Sequence, residues 1–120
     1  MNAYTSSTPL NDATESRAIQ TVLDESASAI PVTGTKPYYG HVLDASGAIE
    51  IAISCLTLRH GWTPPTLNFE RPGEGCELDY VTGQGRAGMI RTVLTNSFGF
   101  GGINASLVLS APHAREERPA

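Results

Sequence analysis

The chain has 120 residues, room for one small domain with a modest core. With 40% hydrophobic and 17% charged residues it reads as a folded globular chain and not a disordered one. A net charge of −4 leaves no basic patch to neutralise phosphates, which excludes nucleic acid and anionic membranes as partners.

A first helix is predicted to start with Thr8 as N-cap and Pro9 in the first helical position, with Ile19, Val22 and Leu23 as its core stripe. It should fade over 24–28, and residues 30–33 then form a short strand. A second helix is predicted from close to His41 to about His60. Its apolar residues leave almost no polar face, so it should be buried all round. Gly61 is its expected left-handed terminator. Residues 62–88 read as loops with a short strand over 77–81. Strands over 89–95 and 105–110 follow, then a polar tail over 111–120 expected to be disordered. The order β–α–β–α–β–β implies an α/β fold, with helices packed on a mixed sheet.

No basic stretch followed by an apolar run marks a signal peptide at the N-terminus, and no run approaches the roughly 20 apolar residues of a membrane span. Cys55 and Cys76 are too few for a disulfide framework and read as structural thiols in a reduced, cytoplasmic compartment.

Two segments are built for something other than connection. Asn96-Ser97-Phe98-Gly99-Phe100-Gly101-Gly102-Ile103-Asn104 is too long and too rich in glycine for a hairpin tip. Its glycines permit close backbone approach to a bound molecule. The segment from Thr35 to Ala48, containing Lys36 and Gly40-His41, has the same character. Taken alone, each candidate also has an ordinary explanation. His41 would cap or pack a helix start, Lys36 would be a solvated charge, and Phe100 would belong to a bulged loop. Glu50 either pairs with Lys36 inside an apolar helix or lies at an exposed edge.

Together these two segments resemble the C-terminal half of the β-ketoacyl-ACP synthases, the condensing enzymes of fatty-acid and polyketide biosynthesis. Asn2-Ala3-Tyr4-Thr5-Ser6-Ser7-Thr8-Pro9-Leu10-Asn11-Asp12 is similar to that family's N-A-H-G-T-x-T-P-x-N-D. Lys36 and Gly40-His41 fall on its lysine and second histidine. Pro64-Pro65-Thr66-Leu67-Asn68 matches P-P-T-x-N, and the N-S-F-G-F-G-G-x-N run is intact. The four motifs run in order over about 2–110.

The resemblance implies the C-terminal half of a thiolase-like fold, lacking its first strand, so a stable free monomer is not expected. It implies catalytic roles for His41, Lys36, Glu50 and Phe100, with the Phe100 backbone N–H in an oxyanion hole and its ring gating an acyl pocket. Ser6, Thr8, Phe98, Gly99 and Gly101 would bind substrate, Ser6 and Thr8 touching a phosphopantetheine arm; Thr8 alternatively serves only as N-cap. The arm belongs to the acyl carrier protein, so no cofactor of the chain's own and no metal is expected.

Tyr4 stands where the family has its first histidine and Thr5 where it has glycine, which breaks the histidine pair that supports decarboxylation. Neither cysteine occupies the nucleophile's setting, which lies in the other half of the family's enzymes. The expected partners are therefore acyl carrier protein and a cysteine-bearing synthase half or dimer partner. The alternatives are a non-catalytic partner resembling a chain-length factor, or an inactive gene remnant.

Overall fold

A computed structural model describes residues 1–112; beyond Pro112 the expected tail lies outside the described residues. In chain order the elements are β1 (Asn2–Ala3), α1 (Pro9–Leu23), β2 (Thr33–Gly34), α2 (Ser46–His60), β3 (Trp62–Thr63), β4 (Arg86–Ala87), β5 (Thr92–Phe98) and β6 (Asn104–Ser110). A mixed sheet runs in the order β2-β1-β5-β6, with β1 parallel to both neighbours and β5 antiparallel to β6. β3 and β4 form a separate antiparallel pair. The strand expected over 77–81 is reduced to a bridge between Tyr80 and Val32.

The pleat of β5 assigns the layers. Successive side chains on a strand face opposite ways. Asn96 donates to Glu15 of α1 at 3.2 Å, whereas the neighbouring Ser97 packs against Gly47 of α2. The sheet is thus sandwiched between the two helices.

α1 begins as expected, with Thr8 extended and Pro9 in the first turn. The Thr8 hydroxyl makes no capping bond, however; it pairs with Ser6 Oγ at 3.1 Å. The buried face is Glu15, Ser16 and Ile19, while Val22 is 79% exposed. The predicted stripe was therefore rotated: a carboxylate with good partners displaced an apolar residue from the inner face.

α2 reverses a stronger expectation. Its buried residues are polar (Ser46, Glu50, Ser54 and Thr57), spaced four, four and three apart on one face. Asn2 explains why, because its side-chain amide donates to the Glu50 carbonyl at 3.2 Å and reaches Ser54 Oγ. Small hydroxyls and an amide bring helix and sheet together by hydrogen bonds. The apolar residues then point outward, and Leu56 is 53% exposed, with Ile51 and Cys55 also at the surface. Leu107 and Val108 of β6 are exposed as well. In isolation the chain is expected to bind a hydrophobic dye and self-associate. A monomer that melts cooperatively without binding dye would contradict this.

Gly61 ends α2 at φ 60, as expected, its N–H returning to the Thr57 carbonyl. The Asn96 to Asn104 segment is a hairpin after all. Strand pairing continues to Phe98 opposite Asn104, and Gly99 N–H closes the five-residue tip on the Ile103 carbonyl at 2.7 Å. Positive φ at Gly101 and Gly102 turns the chain within that length.

Candidate active site

The site is assembled where β1 runs out toward α1. Tyr4 and Thr5 leave the sheet with their N–H groups pointing at the Glu15 carboxylate, at 2.9 and 3.0 Å. Glu15 is buried and also accepts from Asn96, so three donors compensate its charge. Its role in holding the Tyr4 backbone was not foreseen from the sequence. The available signal was its spacing, four residues before Ile19 and hence on the same helix face.

Lys36 enters from the turn after β2 and is only 5% exposed. Its ammonium donates to the Tyr4 carbonyl and pairs with Glu50 Oε1. Glu50 has no exposed surface, which decides between the two readings left open above. Burial pushes its carboxyl above the usual carboxylate range, opposed by the hydrogen bond and charge of Lys36. Its second oxygen, Oε2, has no hydrogen-bond partner among the described residues. The ammonium also lies 4.1 Å from the centre of the Tyr4 ring, so the tyrosine receives the lysine on its π face as well as its carbonyl.

His41 does not open α2. That helix starts five residues later than expected, after a 3₁₀ turn over Leu43–Ala45, which leaves the imidazole outside the helix's first turn. The ring is instead held by the turn. Leu43 N–H donates to Nδ1 at 3.1 Å, and Nε2 lies 2.8 Å from the Tyr4 hydroxyl. Leu43 adopts φ 50, a conformation costly for a residue with a branched side chain. Tyr4 packs edge-on against His41 at 5.5 Å between centroids and against Phe98 at 5.3 Å.

His41, Lys36, Thr5 and Ser6 line a cleft of about 630 Å³, together with Phe69 and Arg71. The structure therefore gathers His41, Lys36 and Phe98 around Tyr4, which the sequence marked only as a departure, with Glu50 joined through Lys36 and Ser6 on the cleft lining. The remaining candidates lie outside that cluster. Thr8 stands beside Ser6 at the surface. Gly99, Phe100 and Gly101 occupy the hairpin tip, where the Phe100 ring is 94% exposed. Among the described residues, no three His, Cys, Asp or Glu side chains are grouped to hold a metal ion.

The chain has relatives among known proteins. The family described as "Beta-ketoacyl synthase, C-terminal domain" matches residues 1–70. The chain belongs to that family. It is 48% identical over 110 residues to 3-oxoacyl-[acyl-carrier-protein] synthase 2 of Coxiella burnetii, covering 92% of this chain and 27% of that protein. It is 40% identical to the tetracenomycin polyketide synthase ketoacyl synthase alpha subunit of Streptomyces glaucescens, covering 93% of this chain and 26% of the relative.

Among solved structures, one holds a type II polyketide synthase acyl-carrier protein in complex with its ketosynthase bound to the hexaketide. It matches with a TM-score of 0.88 at 42% identity, over 92% of this chain and 27% of that one. The ishigamide ketosynthase/chain length factor matches with a TM-score of 0.88 at 32% identity, over 93% of this chain and 27% of that chain. The chain thus spans about a quarter of the length of these relatives and has the fold of the C-terminal portion of a thiolase-like ketosynthase. No described helix is long and apolar enough to cross a membrane.

Proposed function

We propose that this β-ketoacyl synthase domain supplies one wall of a carbon–carbon bond-forming site, in fatty-acid or polyketide biosynthesis. The nucleophilic sulfur would come from a second, cysteine-bearing synthase half. The observation that carries this reading is the Tyr4–His41–Lys36–Glu50 cluster, which presents His41 and Lys36 to an open cleft, with neither thiol of the chain among its hydrogen-bond partners. Cys55 lies mid-way along α2 on its outer face, and Cys76, buried in a loop on the lining of the same cleft, turns its thiol to the Glu74 carbonyl.

In the reaction, an acyl group waits as a thioester on the partner's cysteine. A malonyl group arrives on the phosphopantetheine arm of acyl carrier protein. Its bond to the carboxylate breaks, CO₂ leaves, and the electron pair passes onto the thioester oxygen as an enolate. The enolate carbon attacks the acyl carbonyl, a carbon–carbon bond forms, and the cysteine thiolate departs. The wall described here faces the oxygen that gains charge. Fixed donors aimed at such an oxygen are among the larger contributions to acyl-transfer catalysis. The Lys36–Glu50 pair lies beneath and holds the Tyr4 backbone in place.

A second reading, a non-catalytic partner subunit resembling a chain-length factor, is favoured by Tyr4, since phenol cannot exchange protons near neutrality as imidazole does. One assay separates the two. Incubated alone with acyl- and malonyl-carrier protein, the chain is expected to give neither CO₂ nor 3-oxoacyl product. Assembled with a cysteine-bearing half, it is expected to give both. A stable assembly that binds carrier protein yet releases neither would favour the partner-subunit reading.

A further inference from the structure

Both nitrogens of His41 are already engaged, and the direction of each hydrogen bond can be deduced. A backbone amide can only donate, so Nδ1 accepts from Leu43 and carries no proton there. The neutral ring then bears its one proton on Nε2. Nε2 lies 2.8 Å from Tyr4 Oη, so the imidazole donates and the phenol oxygen accepts. The phenol's own hydrogen is left free.

That hydrogen stays in place at neutral pH. Burial first, then the negative charges of Glu50 and Glu15, raise Tyr4 above the ordinary tyrosine range. The hydroxyl is also held firmly. Its ring is fixed by His41 and Phe98 and covered by the Lys36 ammonium, while its backbone is held by Glu15 and Lys36. Accepting from the imidazole polarises the O–H and strengthens it as a donor. The phenol–imidazole contact is exposed, so an incoming oxygen can reach it.

We propose that Tyr4, not His41, is the donor this domain presents to the substrate's thioester oxygen, and that His41 positions and polarises it. The inference rests on the condensing reading above and reassigns roles within it. As the malonyl carboxylate leaves and its electron pair moves onto the thioester oxygen, the Tyr4 O–H hydrogen-bonds to that oxygen without giving up its proton. The pair returns when the new carbon–carbon bond forms.

The test uses the chain assembled with a cysteine-bearing half. Nitrogen NMR of the His41 ring is expected to show the Nε2–H form; a proton on Nδ1 would mean that the phenol hydrogen is spent on Nε2 and would overturn the proposal. The second arm is Tyr4→Phe, which preserves the ring and every backbone bond. If Tyr4 is the donor, condensing turnover falls at least tenfold. If the phenol merely masks His41, turnover is unchanged or rises, and the proposal fails. The third arm is independent of turnover. The carbonyl stretch of ¹³C-labelled acetyl-pantetheine is expected to move to lower frequency on binding the wild-type assembly and not on binding Tyr4→Phe. No wild-type shift, or an equal shift in both, overturns the proposal. A shift that needs Tyr4, in an assembly that does not condense, defeats the functional reading while upholding the hydrogen bond.

Discussion

Replacing Lys36 by methionine is expected to destabilise the fold by about 3–5 kcal/mol, the range for removing one partner of a buried ion pair. Glu50 is wholly enclosed, and Lys36 is the cation paired with it. Its second oxygen already has no partner among the described residues. Without the ammonium, the carboxylate would be a buried, uncompensated charge, and the Tyr4 carbonyl would lose a donor too.

The variant should therefore take up a proton on Glu50. Burial raises this carboxyl in the wild type, with Lys36 opposing the rise; deleting Lys36 removes the opposition. A carboxyl raised by folding binds its proton in the folded state before the unfolded chain does. In that window, from neutrality down toward the ordinary carboxylate value of about 4.3, stability increases as pH falls. The Lys36→Met chain should thus regain stability on acidification, and more steeply than wild type. Adding Glu50→Leu should recover most of the loss, since apolar residues of similar volume can replace a buried pair. Urea midpoints of the single and double variants at pH 7 and pH 5 check both statements. A single variant within 1 kcal/mol of wild type would show that Glu50 finds another partner.

His41→Ala is expected to have the opposite profile, large in turnover and small in stability. The ring is exposed, lies outside the regular elements and, among the described residues, makes its hydrogen bonds to Tyr4, Leu43 and Ser46. In the assembled synthase, its loss should lower condensing turnover by about 10²–10³-fold, as for loss of an oxyanion donor, because Tyr4 loses the group that orients it. The urea midpoint should barely move. Combined with Tyr4→Phe it should do little further harm, since two residues acting as one unit are not additive. A turnover loss below about threefold, or a product of the two single effects in the double variant, would separate them.

How much of this was legible in the sequence follows from what each signal measures. The motifs marked His41 and Lys36 as neighbours in one site, whereas Glu50 stayed between pairing with Lys36 and an exposed edge; Thr8-Pro9 and Gly61 mark helix ends correctly, because these depend on local chemistry. The buried face of α2 was misjudged because apolar periodicity presumes an oily interface. Here Asn2, on a two-residue central strand, selects Ser54 and the Glu50 carbonyl instead. Glycine content marks the 96–104 segment as a loop, whereas Asn96, Ser97 and Phe98 continue the pairing with β6. Tyr4 was read as a loss of imidazole. Only the turn at Leu43, which fixes the tautomer of His41, reveals what the phenol oxygen is doing there.

The most direct measurement is a single turnover. A cysteine-bearing half is first acylated, and malonyl-carrier protein is added with and without this chain while the acyl-cysteine is followed by mass spectrometry. The acyl-cysteine is expected to persist until the chain is supplied, then to disappear as a product two carbons longer accumulates. Equal consumption in its absence, or an acyl group found on Cys55 or Cys76, would contradict the account.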